Sequence, residues 1–139
     1  SALSATVSRE FVGFRGHVLP QNYPFAISNE TEELKKTKNV AELLEKLGFE
    51  KELERTKEKK IRAGKGKNRG RPYNRKKGIL FVVSQKCPLS TSARNLPGID
   101  VAVVNSLNAE LLAPGTLPGR LTLYTEKALE RMQKENLFE

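Results

Sequence analysis

One cysteine and one histidine in 139 residues leave little with which to build reactive chemistry. The lone Cys87 excludes an intrachain disulfide framework and suits a reducing cytosol. His17 and Cys87 can assemble neither a Cys/His metal cluster nor a histidine-based triad, so no catalytic residue, metal ligand or cofactor is expected. No apolar run approaches the ~20 residues a membrane helix needs, which argues against a membrane partner. The opening SALSATVSREF has neither the n-region nor the apolar h-region of a signal peptide. An initiator methionine is missing too, and Ser1 leads straight into a helical pattern, so the N-terminal part of a longer protein is expected to be absent. Carboxylates cluster at 30–33, 42–58 and 126–139, mostly alternating with lysine as on solvated helix faces rather than as a paired acid/base site.

One stretch lacks acid altogether. KKIRAGKGKNRGRPYNRKKG, residues 59–78, carries a cation at half of its positions and no carboxylate. Residues 57–77 hold eleven of the 25 Lys and Arg and one of the 16 Asp and Glu, a net +10. The remaining 14 cations and 15 carboxylates give the rest of the chain −1, so the overall +9 belongs to one segment. A cationic block on a neutral body points to a dedicated anionic partner.

What is present outside that block reads as one α/β domain over residues 1–139, with 37% hydrophobic content and a modest core. Leu3, Val7, Phe11 and Phe14 form an apolar stripe at helical spacing, weakened by Gly13 and ended at Gly16. Phe25–Ser28 suits a short strand. Asn39 is placed to cap a helix running to Leu47, with Val40, Leu43, Leu44 and Leu47 on one side and Gly48 as its stop, and a charged helix follows over Phe49–Lys59. Ile79–Val83, Val101–Val104 and Leu121–Tyr124 are β-prone runs, the first continuous enough to be buried on both faces. Ser90–Asn95 and a helix capped by Ser106 running to Leu112 fill the intervals. Thr125 caps a closing helix with Ala128, Leu129 and Met132 on its stripe. Segments 84–100 and 105–120 are long enough for parallel crossovers. The pattern predicts a Rossmann-like layered domain, with a mainly parallel sheet flanked by helices and right-handed connections, plus a basic Gly-rich extended segment over 57–78. Fold alone assigns no activity.

Gly64-Lys65-Gly66-Lys67-Asn68-Arg69-Gly70 fails as a nucleotide loop. The third glycine is one position late for a dinucleotide fingerprint, the segment precedes a strand, and Gly66-Lys67 is not followed by Ser or Thr. Glycines without Cβ instead let backbone approach a phosphate-rich surface, and the interleaved arginines offer forked donors while lysines act as mobile charges. Tyr73 adds a ring able to stack on an unpaired base. A solvated linker or nuclear-localisation tract has the same composition. Arg94, Asn95 and Arg120 lie in STSARNLPG and ELLAPGTLPGR, which feed strands. They are therefore expected on the edge opposite the strands' C-terminal ends, where they extend a binding surface; ordinary turn chemistry explains the prolines and glycines equally well. His17, at a helix end beside Arg15 and Gly16, reads as a helix-dipole partner or a further RNA contact.

IRAGKGKNRGRPYNRKKGILFVV, followed by ARNLPGIDVAVVNSLNAELLAPGTLPGRLTLYTEKALERM, resembles the C-terminal half of the large-subunit ribosomal protein L-four family in its archaeal and eukaryotic form. SALSATVSREFVGFRGH resembles the helix that follows that family's long internal loop. The resemblance implies an α/β domain bound to large-subunit ribosomal RNA in the cytoplasm, among neighbouring large-subunit ribosomal proteins. It also implies an extension to the wall of the peptide exit tunnel and a part in early assembly. Carried onto this chain, the phosphate-facing set is Arg62, Lys65, Lys67, Arg69, Arg71, Arg75, Lys76 and Lys77. Lys59 and Lys60 begin the same RNA-binding stretch, Gly64, Gly66 and Gly70 permit close approach, and Arg94-Asn95 is a secondary contact. The family's N-terminal strand and tunnel-directed extension would precede Ser1 and are missing here, so no residue present is assigned to the tunnel.

The expected mechanism is charge neutralisation of folded rRNA by a segment that is mobile alone and ordered on RNA. Two rivals remain: a Rossmann-like enzyme holding a phosphorylated substrate on the basic loop, and a protein–protein adaptor whose basic tract is a targeting signal. The RNA reading, by contrast, expects no small-molecule substrate.

Overall fold

In the computed structural model, which describes residues 1–138, the three β-prone runs form three adjacent strands of a four-stranded parallel sheet. Its strands are β1 (Ala26–Ile27), β4 (Leu80–Val83), β5 (Asp100–Val103) and β6 (Thr122–Thr125), in the order β1-β6-β4-β5. The two remaining strands, β2 (Lys59–Ile61) and β3 (Tyr73–Arg75), pair only with each other, as an antiparallel hairpin within the cationic block. The α/β layered architecture expected from the sequence is the one observed.

Helices cover both faces of the sheet. Strand β4 is buried at every position because its side chains alternate between two cores. Ile79, Phe81 and Val83 pack with Val40 and Leu44 of α3 (Thr37–Lys46), Leu53 of α4 (Glu50–Lys57) and Leu89 of α5 (Leu89–Ser92). Leu80 and Val82 turn the other way, toward Leu112 of α6 (Ala109–Leu112) and Ala128 of α7 (Glu126–Lys134). A run that is apolar on both faces is what a strand between two helix layers requires.

Some local expectations need correction. The N-terminal stripe is not one helix but two, α1 (Ala2–Val7) and α2 (Arg9–Phe14), separated at Ser8, which is extended at φ −77°, ψ 117°. The Thr6 carbonyl, which would accept from the Glu10 N–H in a continuous helix, accepts instead from the Tyr23 hydroxyl. The stripe is not the buried face either: Phe11 and Phe14 are 52% and 87% exposed, while Ala5, Thr6 and Val12 are buried. Helix α3 begins two residues before Asn39, so Asn39 is inside it rather than capping it. Asn108, not Ser106, caps α6, its side chain accepting from the Leu111 N–H at 2.8 Å. Thr125 caps α7 as expected, through the Ala128 N–H.

The N-terminal edge of the sheet is tied by one guanidinium. Arg120, expected on a binding surface, is fully buried. It donates to the Gly78 carbonyl at 3.0 Å, the Leu111 carbonyl at 3.1 Å and Asp100 Oδ2 at 2.5 Å. Backbone bonds reinforce the junction: Gly78 N–H to Gly98 O at 2.8 Å, Leu80 N–H to Leu121 O at 2.9 Å and Asp100 N–H to Ile79 O at 3.1 Å. Replacing Arg120 by Met fills similar volume but leaves two carbonyls without this donor and Asp100 with Lys77 alone. The expected loss is about 3 kcal/mol in denaturant unfolding, the scale for a broken, largely buried ion pair with orphaned acceptors. A loss near zero would mean that the guanidinium is not what holds this edge together.

Candidate nucleic-acid interface

Like charges at this density repel, so a cationic segment folds only where backbone bonding and an anchor offset the repulsion. The hairpin leaves α4 at Lys57 and pairs Lys59 with Arg75, Lys60 with Asn74 and Ile61 with Tyr73. Beyond the strands, the Arg62 N–H reaches the Pro72 carbonyl at 2.8 Å, and Lys65–Arg69 close the tip in a 3-10 turn. Gly64 and Gly70 bracket that turn at φ 80° and 76°, backbone conformations that disfavour a Cβ. A Cβ at Gly66 would come within 3.0 Å of the Arg62 side chain. The glycines thus shape the tip.

Every strand residue of the hairpin is exposed, so it has no core of its own. Lys59 and Arg75 stand directly opposite each other, a pairing that destabilises a two-stranded ladder. Few contacts compensate. Lys76 meets Glu58 at 2.8 Å, Lys77 meets Asp100 at 3.0 Å, and the Lys59 ammonium sits 4.4 Å from the centre of the Tyr73 ring. One face of the Tyr73 ring is thereby occupied. The Arg62 guanidinium turns back to the Arg71 and Tyr73 carbonyls. Lys60, Lys65, Lys67, Arg69, Arg71 and Arg75 have no carboxylate partner among the described residues.

The base of the hairpin is held rigidly against the sheet edge. Gly98, at φ 76°, lies where a Cβ would meet the Lys76 carbonyl at 2.8 Å and Thr56 at 3.0 Å. This close approach brings the outgoing arm against the 94–100 loop. The result is a cleft of about 590 Å³ in which Lys59, Arg75, Lys76 and Lys77 face Arg94 and Asn95. Lys57 joins them and was not among the expected site residues, although it opens the cationic block, one residue before the acid-free run begins after Glu58. Residues 62–71 form the outer part of the hairpin. Arg120 is removed from this surface by its burial.

Sequence reading also left the anchor beneath the arm unidentified. Glu52, fully buried, accepts from Arg55 Nε at 2.8 Å and Nη2 at 2.6 Å, from His17 Nδ1 at 2.7 Å and from the Val18 N–H at 3.1 Å. The same Arg55 Nη2 reaches the Lys77 carbonyl at 2.9 Å and so grips the hairpin. Glu52 and Arg55 are one helical turn apart, the signal that marks an ion pair but not its burial. Burial alone would raise the Glu52 pKa, yet the bonds from Arg55, His17 and Val18 outweigh it and hold the carboxyl below its ordinary value. Asp100 is likewise lowered against its burial, by Arg120 and then Lys77.

The other edge of the sheet holds a buried carboxylate. At the C-terminal ends of β4 and β6, where open α/β sheets hold ligands, the Glu32 carboxylate accepts from the Ser84 N–H at 3.1 Å and the Thr125 hydroxyl at 2.7 Å. Arg131 closes the same place by donating to the Ser84 carbonyl. A buried carboxylate there opposes a phosphorylated substrate, and the cationic hairpin lies at the far edge.

The sequence model of the Ribosomal protein L4/L1 family matches residues 1–135. The chain is 49% identical over 131 residues to the large ribosomal subunit protein uL4 of Archaeoglobus fulgidus, covering 94% of this chain and 52% of that protein. It is 48% identical over 139 residues to the uL4 of Nanoarchaeum equitans, covering 99% and 52% respectively. For the uL4 of Methanococcoides burtonii the identity is 47% over 134 residues, covering 96% and 53%. The chain thus spans about half the length of the curated relatives it matches.

The lowered carboxyls at the anchor set the acid limit of stability. Their folded values lie below the ordinary 4.5 of Glu52 and 3.8 of Asp100. Each contribution is therefore complete above those ordinary values and is lost as pH falls through the folded ones. Urea unfolding followed from neutral pH down through the carboxylate range should show a falling midpoint. Glu52→Gln should lower the neutral-pH midpoint and flatten the acid limb; an acid limb as steep as that of the parent chain would remove Glu52 from this role.

Proposed function

This chain belongs to the Ribosomal protein L4/L1 family, and from that premise we propose that it is a non-catalytic structural constituent of the large ribosomal subunit which clamps ribosomal RNA with its cationic hairpin. The observation that carries the reading is a solvent-exposed hairpin with like charges in register, fixed at its base and without carboxylates to neutralise its tip. Such an element is complete only against a polyanion. Six hairpin cations without carboxylate partners supply phosphate contacts, Tyr73 supplies a stacking face, and the cleft with Arg94 and Asn95 extends the contact onto the body of the domain. Bringing RNA helices together costs mutual phosphate repulsion, which the hairpin lowers while releasing condensed counterions.

The partners proposed are large-subunit rRNA and the neighbouring large-subunit proteins, on cytoplasmic ribosomes, with a part in subunit assembly. The enzyme alternative is disfavoured by Glu32, whose charge fills the edge where a phosphorylated substrate would sit.

A salt titration tests the clamp. Binding of the chain to large-subunit rRNA fragments should weaken steeply with salt. In a variant with Lys65, Lys67, Arg69 and Arg71 changed to Ala, the log–log slope should flatten by about 3, from roughly 0.7–0.9 per phosphate contact. Residues 62–72 should be cut readily by protease in the free chain and protected when rRNA is added. An unchanged slope in the variant, or equal affinity for an unrelated folded RNA, would sink the proposal.

A further inference from the structure

Lys76 and Lys77 border a second cleft of about 360 Å³, whose other walls are Arg15, His17, Arg55 and the turn at 114–117. Four lining side chains are cationic and none is a carboxylate. Glu52 lies behind His17 and Arg55, Glu58 pairs with Lys76, and Asp100 pairs with Lys77. Arg15 has no carboxylate partner among the described residues; it donates to the Leu117 carbonyl and, at 2.6 Å, to the Pro114 carbonyl. Burial, and then the charges of Arg120 and Arg55, push its pKa down from the ordinary arginine value. Positive charge is in excess at this place.

His17 is the unfinished element. Its side chain is 1% exposed, and its Nδ1 lies 2.7 Å from Glu52 Oε1. A carboxylate at that distance assigns the Nδ1 proton to the Glu52 bond. Arg55 Nη2, 3.1 Å from Nδ1, spends its two hydrogens on Glu52 and the Lys77 carbonyl. The other ring nitrogen, Nε2, is buried and has no hydrogen-bond partner among the described residues. Buried polar atoms are rarely left so. Arg55 Nη1 also lacks a hydrogen-bond partner among the described residues. With the Nδ1 proton spent on Glu52, Nε2 accepts in a singly protonated ring and donates in a doubly protonated one, and the four cationic walls of the cleft select an anion to meet it.

We infer that this cleft is a phosphate pocket, in which Arg15 and Arg55 hold one backbone phosphate of the RNA and the His17 ring, protonated on both nitrogens in that complex, donates to it through Nε2. Glu52 keeps the imidazole oriented from behind, and the phosphate faces it from the front. Lys76 and Lys77 border both clefts, so the pocket continues the cationic track from the hairpin onto the N-terminal helices. The inference rests on the RNA-binding reading and adds to it a built site outside the hairpin.

The chain has a single histidine, so its imidazole nitrogens can be followed by NMR without ambiguity. The Nε2 signal of the full chain should move saturably with inorganic phosphate and stay still in chloride of equal ionic strength. In His17→Asn the amide nitrogen replaces Nδ1 toward Glu52 and nothing replaces Nε2. That variant should bind large-subunit rRNA about tenfold more weakly, the effect of one charge-assisted hydrogen bond. A phosphate-insensitive Nε2, or parental affinity in His17→Asn, overturns the inference. The NMR arm uses the parent chain and does not depend on the variant folding. If the parent chain binds no rRNA, the ribosomal reading falls, while the imidazole signal still decides whether the pocket takes phosphate.

Discussion

The bond between Arg120 and Asp100 is the constraint on which the working surface depends. A guanidinium with no exposed surface reaches the carbonyls of Gly78 and Leu111 and the carboxylate of Asp100, which in turn holds Lys77. The hairpin's last residues, the start of β5 and the approach to β6 are thereby gathered at one point. A two-stranded ribbon without a core has little stability of its own. What rigidity it has comes from this junction, from Gly98 beneath Lys76, and from Arg55 on the Lys77 carbonyl.

Charge is divided between the two edges of the sheet. At the C-terminal edge a buried carboxylate, Glu32, joins β4 to β6 through Ser84 and Thr125. At the N-terminal edge the carboxylates are engaged with cations: Glu52 with Arg55, Glu58 with Lys76, Asp100 with Arg120 and Lys77. These pairs position the surface and leave the outer hairpin uncompensated. The layered fold is one that elsewhere carries enzymes, but here the crevice used for ligands is filled and the opposite edge is presented.

Much of the sheet was legible. Ile79–Val83 reads as a strand because its neighbours on both faces are apolar, and that condition is written in the run itself. The parallel crossovers followed from segment lengths, and the cationic block from simple counting. Periodicity failed at Leu3, Val7, Phe11 and Phe14, because spacing shows that residues share a face and not that anything covers it. Arg120 was misread for a related reason. An arginine beside Pro and Gly turns looks like a surface cation, and only the convergence of Gly78, Asp100 and Leu111 makes it a buried one. His17, Glu52 and Arg55 were each visible singly, and their meeting was not.

Sequence alone determined where the positive charge resides, which runs are strands, and which family the chain resembles, because these depend on composition and on patterns within a few residues. Tertiary structure decided which cations are spent inside the molecule and which are left for a partner. His17 meets Glu52 across 35 residues, Arg120 meets Gly78 across 42, and Ser84 meets Glu32 across 52. Burial and neutralisation act over a few ångströms of space, and only the folded chain brings residues so far apart in sequence within that range.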